Sequence, residues 1–340
     1  MKTIQTVLGR VDADTCGMVL PHEHLFIDLA NQAEAGASRA PITPADRPGL
    51  MCDPYTHYDN LRLDDEAAAE AELRDLLAAG VDTVVDCSPS SAIGRNPEGL
   101  RRLALATGAN IVAGCGNYTG DTIPEEVRKL DAKSLAEVMI REIEFGIGDT
   151  GVRPGVIGEI GTSREILDEE LTTLRAAAIA HRATGLTVEV HIYPWLPNGL
   201  EAAKILTEGG VDPRRIVICH SDVEPDRGYI AKLFELGVWV EFDNFGKEFT
   251  PSAGGFAAGR FIPDTERAAL AAEIIREGHG GQLLLTNDIC LKCLLSSRGG
   301  PGYTHVIRNM LPMIAARGVD MSYLRETVCR ANPLAALAVE

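Results

Sequence analysis

The chain has 340 residues, of which 45% are hydrophobic, and its formal net charge is −17 at pH 7. This charge argues against a nucleic-acid partner, because surfaces that bind nucleic acid carry a basic stripe. The sequence has neither an apolar run of about 18 residues that would span a membrane nor the apolar segment of a secretory signal. We therefore expect a cytoplasmic protein whose eight scattered cysteines are reduced.

Apolar strand-like runs alternate with helical patterns from about residue 18 onward. The eight runs are Met18–Pro21, Thr83–Cys87, Ile111–Gly116, Gly155–Glu159, Thr187–His191, Ile216–His220, Val238–Phe242 and Leu283–Asn287. The helical patterns are Asp64–Ala79, Pro97–Thr107, Ser134–Phe145, Asp168–Thr184, Gly199–Glu208, Asp226–Leu236, Asp264–Glu277 and Tyr303–Arg317. Eight such repeats predict an α/β fold closed as a (β/α)8 TIM barrel, in one domain over residues 1–340. An open doubly wound sheet is the alternative, but the Gly-x-Gly-x-x-Gly turn that would support it is missing after the first strand.

Three segments lie outside this repeat. Residues 3–8 and 17–20 are predicted to pair as a short N-terminal β-hairpin. The segment 31–60, which contains four prolines, is predicted to be a loop inserted after the first strand. Residues Met321–Glu340 are predicted to form a C-terminal helix that Asn332-Pro333 bends or interrupts.

Residue types that bind metal ions stand at the ends of the predicted strands. Two histidines that are two residues apart on a strand project to the same side, although this spacing alone also suits a pair of surface histidines. Five of the eight strand ends carry such residues, which are His22, His24, Glu159, His191, His220 and Asp288. In a barrel these ends form the face that carries the active site. Four imidazoles and two carboxylates there suit two adjacent divalent ions bridged by one carboxylate.

The chain resembles the phosphotriesterase family of the amidohydrolase superfamily over nearly its whole length. The resemblance rests on the motifs Pro21-His22-Glu23-His24, Gly158-Glu159-Ile160-Gly161-Thr162-Ser163, Ile218-Cys219-His220, Phe242-Asp243 and Thr286-Asn287-Asp288. It implies that Glu159 bridges the metal ions, where founding members of the family have a carboxylated lysine. We therefore expect a branch that needs no lysine carboxylation and does not share all the substrates of the founding members.

The same resemblance implies a division of the remaining ligands. His22, His24 and Asp288 would hold a buried ion, and His191 and His220 a more exposed one. Two divalent ions, for which zinc is the expected identity, share a hydroxide whose pKa falls to about 7. Asp288 would then carry the proton of the attacking hydroxide to the leaving group.

This site predicts a binuclear hydrolase that attacks a carbonyl centre in a lactone, ester or amide. Two alternatives stay open. Hydrolysis of a phosphotriester or another phosphoester needs the same ligands, and a non-catalytic ligand-binding barrel would keep the same fold. The expected partners are a small-molecule substrate and a second copy of the chain in a homodimer.

Aromatic residues follow two of the strands that carry ligands. Tyr118 follows the third strand, and the resemblance to lactonase-type members implies that its hydroxyl touches the substrate carbonyl. The alternative is a tyrosine that only packs in the core. Tyr193 and Trp195 follow His191 closely and are predicted to form an aromatic wall over the site.

Polar residues in the last two loops give further expectations about the substrate. Lys247 is either a solvated charge or a substrate contact, and Arg298 is expected to meet an anionic group from a mobile, lid-like loop at 296–302. Cys290 is predicted to line the pocket, because Cys290 and Cys293 lack the second pair that a zinc site would need. The remaining histidines are predicted to lie at the surface, and these are His57, His181, His279 and His305.

Overall fold

A computed structural model describes residues 2–252 and 257–340 of the chain. Its strands, in chain order, are β1 (Thr3–Thr6), β2 (Gly9–Asp12), β3 (Met18–Glu23), β4 (Ile27–Asp28), β5 (Arg62–Leu63), β6 (Val81–Asp86), β7 (Asn110–Cys115), β8 (Val156–Gly161), β9 (Val188–His191), β10 (Ile216–Ile218), β11 (Trp239–Phe242) and β12 (Leu283–Leu285). Eight of them form one parallel sheet in the order β3, β6, β7, β8, β9, β10, β11 and β12. Consecutive parallel pairing with helical crossovers is the pattern of the predicted (β/α)8 TIM barrel, which is confirmed.

The α-helices flank these strands. They are α1 (Arg47–Leu50), α2 (Glu66–Ala78), α3 (Pro97–Thr107), α4 (Glu125–Arg128), α5 (Ala132–Phe145), α6 (Asp168–Thr184), α7 (Gly199–Glu208), α8 (Arg227–Leu236), α9 (Asp264–Arg276), α10 (Leu311–Ala315), α11 (Met321–Tyr323) and α12 (Asn332–Leu337). Several end as predicted from sequence. Gly108 and Gly185, for example, adopt the left-handed conformation that ends α3 and α6. In the described part of the chain, no helix combines the length and apolar character needed to cross a membrane.

The N-terminal hairpin exists, but its second strand differs from the prediction. Strand β1 pairs antiparallel with β2, and the turn between them ends at Gly9, whose φ of 123° a side chain would disfavour. Residues 18–20 instead belong to β3, which is buried along its whole length. A strand covered on both faces is apolar throughout, so its composition alone did not separate it from the hairpin.

Two helical segments near the C-terminus contain wide, π-helical turns. These segments are Val306–Met310 and Leu324–Ala331, and a proline follows each of them, Pro312 and Pro333. Proline lacks the N–H that would bond to the preceding turn, and a wider turn relieves that mismatch. The backbone at Asn332 stays helical, so the predicted interruption of the C-terminal helix is a local widening.

The inserted loop between β4 and β5 is an irregular segment with short helical turns, as predicted from its four prolines. It packs against the segment that follows β12, where Lys292 Nζ donates to Asp59 Oδ1 (2.5 Å) and Cys293 N donates to Asn60 Oδ1 (2.8 Å). This contact places the inserted loop at the carboxyl ends of the barrel strands. One of its residues, Tyr55, lines a cavity that also borders the strand ends.

Candidate metal centre

Four imidazoles and two carboxylates converge at the carboxyl ends of the barrel strands. All of them except His191 are buried. They are the side chains of the six predicted ligands, which are His22, His24, Glu159, His191, His220 and Asp288. Glu159 lies at the centre of the group. Its Oε1 is 3.4 Å from Nε2 of His24, and its Oε2 is 3.2 Å from Nδ1 of His191 and 3.4 Å from Nε2 of His220. Each oxygen of this carboxylate therefore faces at least one imidazole nitrogen.

Asp288 approaches the first pair of histidines from the opposite side. Its Oδ1 is 3.2 Å from Nε2 of His24 and 3.8 Å from Nε2 of His22. Its Oδ2 accepts a hydrogen bond from the ammonium of Lys247. The second oxygen of the Asp288 carboxylate is therefore held by an ion pair.

Hydrogen bonds at the outer nitrogens orient three of the imidazoles. Ser88 Oγ donates to the carbonyl of Phe26 (2.5 Å), so this oxygen can accept the Nδ1–H of His24 at 2.9 Å. The Nδ1–H of His22 is directed at Glu241 Oε2 (3.0 Å) in the same way. A histidine that carries its proton on Nδ1 presents an unprotonated Nε2, and this tautomer suits a metal ion.

His220 is fixed by a carboxylate that contacts both its ring and its backbone. Its Nδ1 is 3.0 Å from Asp243 Oδ1, and its backbone N–H donates to Asp243 Oδ2 (2.8 Å). His220 and Asp288 are also the two non-glycine residues with positive φ among the described residues, at 55° and 49°. This left-handed conformation is unfavourable for residues with a Cβ, so it persists only where the surroundings impose it.

The donor atoms that face the centre fit a metal site on a direct structural criterion. Nε2 of His22 and Oε2 of Glu159 are buried and have no hydrogen-bond partner among the described residues. Donor atoms of His22, His24 and Asp288 lie within 4.8 Å of one another, and so do those of His22, Glu159 and His220. Buried polar atoms are normally paired, so this arrangement is that of a ligand set.

The electrostatics of the site favour positive charge. Burial would lower the pKa of His24, but the neighbouring Asp288 and Glu159 carboxylates raise it to about 9. Burial likewise opposes the charged form of His220, yet Asp243 and Glu159 raise its pKa to about 10. Burial would raise the pKa of Glu159, but the surrounding imidazoles hold it well below its ordinary value. Cations bound at the inner nitrogens would compete with the protons that these carboxylates attract.

A cavity of about 400 Å³ is bordered by five of the six predicted ligands, all except His22. The predicted substrate residues Tyr118, Tyr193, Trp195, Lys247 and Cys290 all line it, together with Tyr55, Phe249 and Phe261. Lys247 is buried, so the alternative of a solvated loop charge is wrong. The volume lies in the range that encloses a small-molecule ligand.

Tyr118 packs in the core, and it also lines the cavity. Its ring is only 9% exposed and belongs to the core, while its hydroxyl is 3.2 Å from Nδ1 of His191 at the cavity floor. Burial raises the pKa of this phenol well above its ordinary value, so the group stays a hydrogen-bond donor. Gly161 permits the placement, since a Cβ there would overlap the backbone of Tyr118 and Thr119.

Arg298 does not lie in this cavity. Among the described residues that line it, Lys247 is the one lysine or arginine. Arg298 belongs to the turn Ser296–Arg298, whose first amide donates to Glu72 Oε1 (2.7 Å). This placement gives no support to the predicted contact between Arg298 and an anionic substrate group.

The histidines outside the centre correct another expectation. His181 is buried, and its Nδ1 is 2.7 Å from the carbonyl of Leu186. His305 is mostly covered and lies 2.6 Å from Asp264 Oδ2. The predicted surface position is therefore wrong for His181 and His305, both of which serve local structure.

Sequence reasoning missed the residues that support the ligands. Glu241 and Asp243 are two residues apart at the end of β11, so strand alternation could have placed both on the interior face with the ligands. Ser88 and Tyr55 carry no comparable signal, because they lie in loops. Their positions follow from how the loops pack.

The fold and the site together define a metal-dependent hydrolase with a (β/α)8 barrel. The chain belongs to the phosphotriesterase family, whose sequence model matches residues 2–337. An N-acetyltaurine hydrolase of Danio rerio is 34% identical over 330 residues, which cover 94% of this chain and 93% of that protein.

Two solved structures are similar over almost the whole chain. A resiniferatoxin-binding protein from Rhodobacter sphaeroides has a TM-score of 0.93 and 32% identity, and the match covers 98% of this chain and 94% of that one. A mutant of a PTE-like lactonase from Deinococcus radiodurans has a TM-score of 0.77 and 30% identity, with 98% and 100% covered.

Proposed function

We propose that this chain is a binuclear hydrolase that attacks a carbonyl carbon in a lactone, ester or amide. The central position of Glu159 among the inner nitrogens of the imidazoles carries the proposal. A carboxylate with both oxygens directed at imidazoles can bridge two cations without a carboxylated lysine. The four nitrogen ligands favour zinc.

Two divalent ions at this site would supply a hydroxide nucleophile near neutral pH and polarise the oxygen of the scissile bond. His22, His24 and Asp288 would hold one of them, His191 and His220 the other. The protein's own part is to fix these donors, and it does so through the hydrogen bonds at the outer nitrogens of His22, His24 and His220.

Tyr118 favours a carbonyl substrate over a phosphotriester. Its protonated hydroxyl stands beside His191 and faces the cavity, so it can donate a hydrogen bond to a carbonyl oxygen that gains negative charge. Donors placed in this way contribute several kcal/mol to acyl-transfer reactions, roughly 3–4 kcal/mol each.

Asp288 is the group that would move a proton to the leaving alkoxide or amine. Its Oδ2 faces the cavity side of the site and is paired with Lys247. The ammonium holds the pKa of Asp288 well below its ordinary value against the effect of burial, so the carboxylate is ionised. A proton taken up by this weakly basic group would pass readily to the more basic alkoxide or amine. Lys247 also fixes the direction in which this oxygen points.

The cavity lining indicates an uncharged, apolar group next to the reacting bond. Tyr193, Trp195, Phe261 and Phe249 form a continuous series with ring centroids 5.3, 5.8 and 5.2 Å apart. The one lysine or arginine in the described lining, Lys247, is already paired with a carboxylate. The sequence suggested an anionic substrate group because of Lys247 and Arg298. Lys247 is paired with Asp288 and Arg298 lies outside the cavity, so neither residue supports that expectation.

The similarity to an N-acetyltaurine hydrolase supports an amide as one form of the substrate, and the similarity to a lactonase supports a lactone. These two relatives share attack at a carbonyl carbon. The series of aromatic residues favours substrates with an alkyl or aryl substituent over an acetylated amine that carries an acidic group.

The test combines elemental analysis with a substrate panel. Protein purified without chelator should contain about two divalent ions per chain, and kcat/KM should be highest for alkyl-substituted lactones or N-acyl derivatives of neutral amines. A metal content of one ion or less would refute the binuclear site. A phosphotriester with the highest kcat/KM would refute the assignment of a carbonyl substrate. The highest kcat/KM with N-acetyltaurine would refute only the prediction that the substrate group next to the reacting bond is uncharged. Tight binding without turnover would indicate a binding protein.

A further inference from the structure

The first and last strands of the barrel meet at a seam. Strands β3 and β12 are the two ends of the eight-stranded order, and no ladder joins them in the described part of the chain. One backbone hydrogen bond crosses just beyond β12, from Asp288 N to the carbonyl of His22 (3.2 Å). The predicted metal ligands on the two sides of this seam therefore depend on side chains to hold them in register.

Glu23 supplies most of that connection. It stands between His22 and His24 on β3, so strand alternation directs its side chain away from the imidazoles. Its Oε1 accepts from Thr286 Oγ1 (2.8 Å) and from the backbone and side-chain nitrogens of Asn287 (2.9 and 2.8 Å). Its Oε2 accepts from the backbone N–H of Ile289 (2.8 Å).

These bonds hold the backbone on both sides of Asp288. The amides of Asn287 and Ile289 flank this residue, and both point at the same carboxylate. Asp288 itself has a φ of 49°, which a residue with a Cβ adopts only when its surroundings impose it. Glu23 is fully buried, and its four donors leave it no role in contact with substrate.

We propose that Glu23 is a positioning residue that holds Asp288 in the orientation required for metal binding and proton transfer. The two carboxylate oxygens permit the arrangement, because they offer acceptor sites to all four donors, whereas an amide must present two N–H groups. One side chain thereby fixes ligands on both sides of the seam. The inference rests on the proposed binuclear function.

The substitution Glu23→Gln tests this role with little change in volume. One end of the new amide would face N–H donors and could not accept from them, so the turn at 286–289 should shift. Loss of a residue that orients a metal ligand weakens metal binding by roughly 10–100-fold. Competition between the holoenzyme and a chromophoric chelator measures this change, and the visible spectrum of the cobalt-loaded protein reports the ligand geometry.

Glu170→Gln is a matched control. Glu170 is also fully buried and accepts four hydrogen bonds, from Gly120 N, Leu167 N and the backbone and side chain of Ser163. It contacts none of the six predicted ligands. Both variants should lower the midpoint of thermal unfolding, but only Glu23→Gln should weaken metal binding and change the cobalt spectrum.

The outcomes separate this inference from the proposed function. Wild-type protein that retains no metal would refute the binuclear site, whereas metal-loaded wild type with an unaltered Glu23→Gln variant would refute the positioning role alone. Equal metal loss in the two variants would assign Glu23 to general stability and also refute it. If Glu23→Gln does not fold, Thr286→Val should show a smaller change of the same kind, because it removes a hydroxyl whose proton is shared between Glu23 Oε1 and the carbonyl of His22. A Thr286→Val variant with wild-type affinity and spectrum would overturn the proposal.

Discussion

Replacing Ser88 by alanine would test how the chain sets the tautomer of a metal-binding histidine. The Ser88 hydroxyl gives its only proton to the carbonyl of Phe26, so it must accept the Nδ1–H of His24. Both side chains are buried, with exposed fractions of 0% and 1%. In the Ser88→Ala variant this N–H has no acceptor, unless the proton moves to Nε2 and blocks the position that a metal ion needs.

The expected size of the effect follows from the cost of a buried, unpaired donor. That cost is about 1–3 kcal/mol, which corresponds to about 5- to 150-fold weaker metal binding. The metal-free protein should lose less stability than the metal-bound protein. Without metal, a proton on Nε2 of His24 can be accepted by Asp288 Oδ1 at 3.2 Å or Glu159 Oε1 at 3.4 Å.

The assay is competition for metal between the protein and a chromophoric chelator at neutral pH. Ser221→Ala is the control, since Ser221 is also buried and adjacent to a predicted ligand, but its hydroxyl bonds to the carbonyl of Ile218 (3.3 Å) and not to an imidazole. Ser88→Ala should release metal more readily than wild type or Ser221→Ala. Equal affinity in all three proteins would refute the assignment of the His24 tautomer.

Three further outcomes are expected. Glu159→Gln should weaken metal binding by about 100-fold while the barrel still folds. Bicarbonate should not affect metal loading of the wild type. Activation of the metal-free wild type that depends on bicarbonate would contradict the bridging role. Tyr118→Phe should lower kcat for carbonyl substrates by about 100-fold with unchanged metal content, and an unchanged kcat would remove Tyr118 from the reaction. Arg267→Met should lower the free energy of unfolding, measured by urea titration, by about 3–5 kcal/mol. In the wild type the fully buried carboxylate of Asp222 lies 3.2 Å from Arg267 Nε, and the substitution leaves it without this partner. A loss below about 1 kcal/mol would contradict this account.

The sequence determined the features that depend on short stretches of chain. Helices α3, α6 and α7 begin and end at the predicted residues, because the residues that start and stop a helix act within one turn. The alternation of strands and helices predicted the barrel, and the order of the strands then placed six metal-binding side chains on one face. Each of these inferences needs only local periodicity and a rule about how parallel sheets close.

The tertiary structure decided what depends on residues far apart in sequence. Strands β10 and β12 end before His220 and Asp288, whose backbones turn into a left-handed conformation held by Asp243 and Glu23. Glu23 and Thr286 are 263 positions apart, so no pattern along the chain could pair them. Lys247 likewise meets Asp288 only through packing of the loops, and this single contact changes the expected charge of the substrate. Local periodicity determines on which face of a strand a side chain lies. The residue that orients this side chain comes close to it only when the barrel closes.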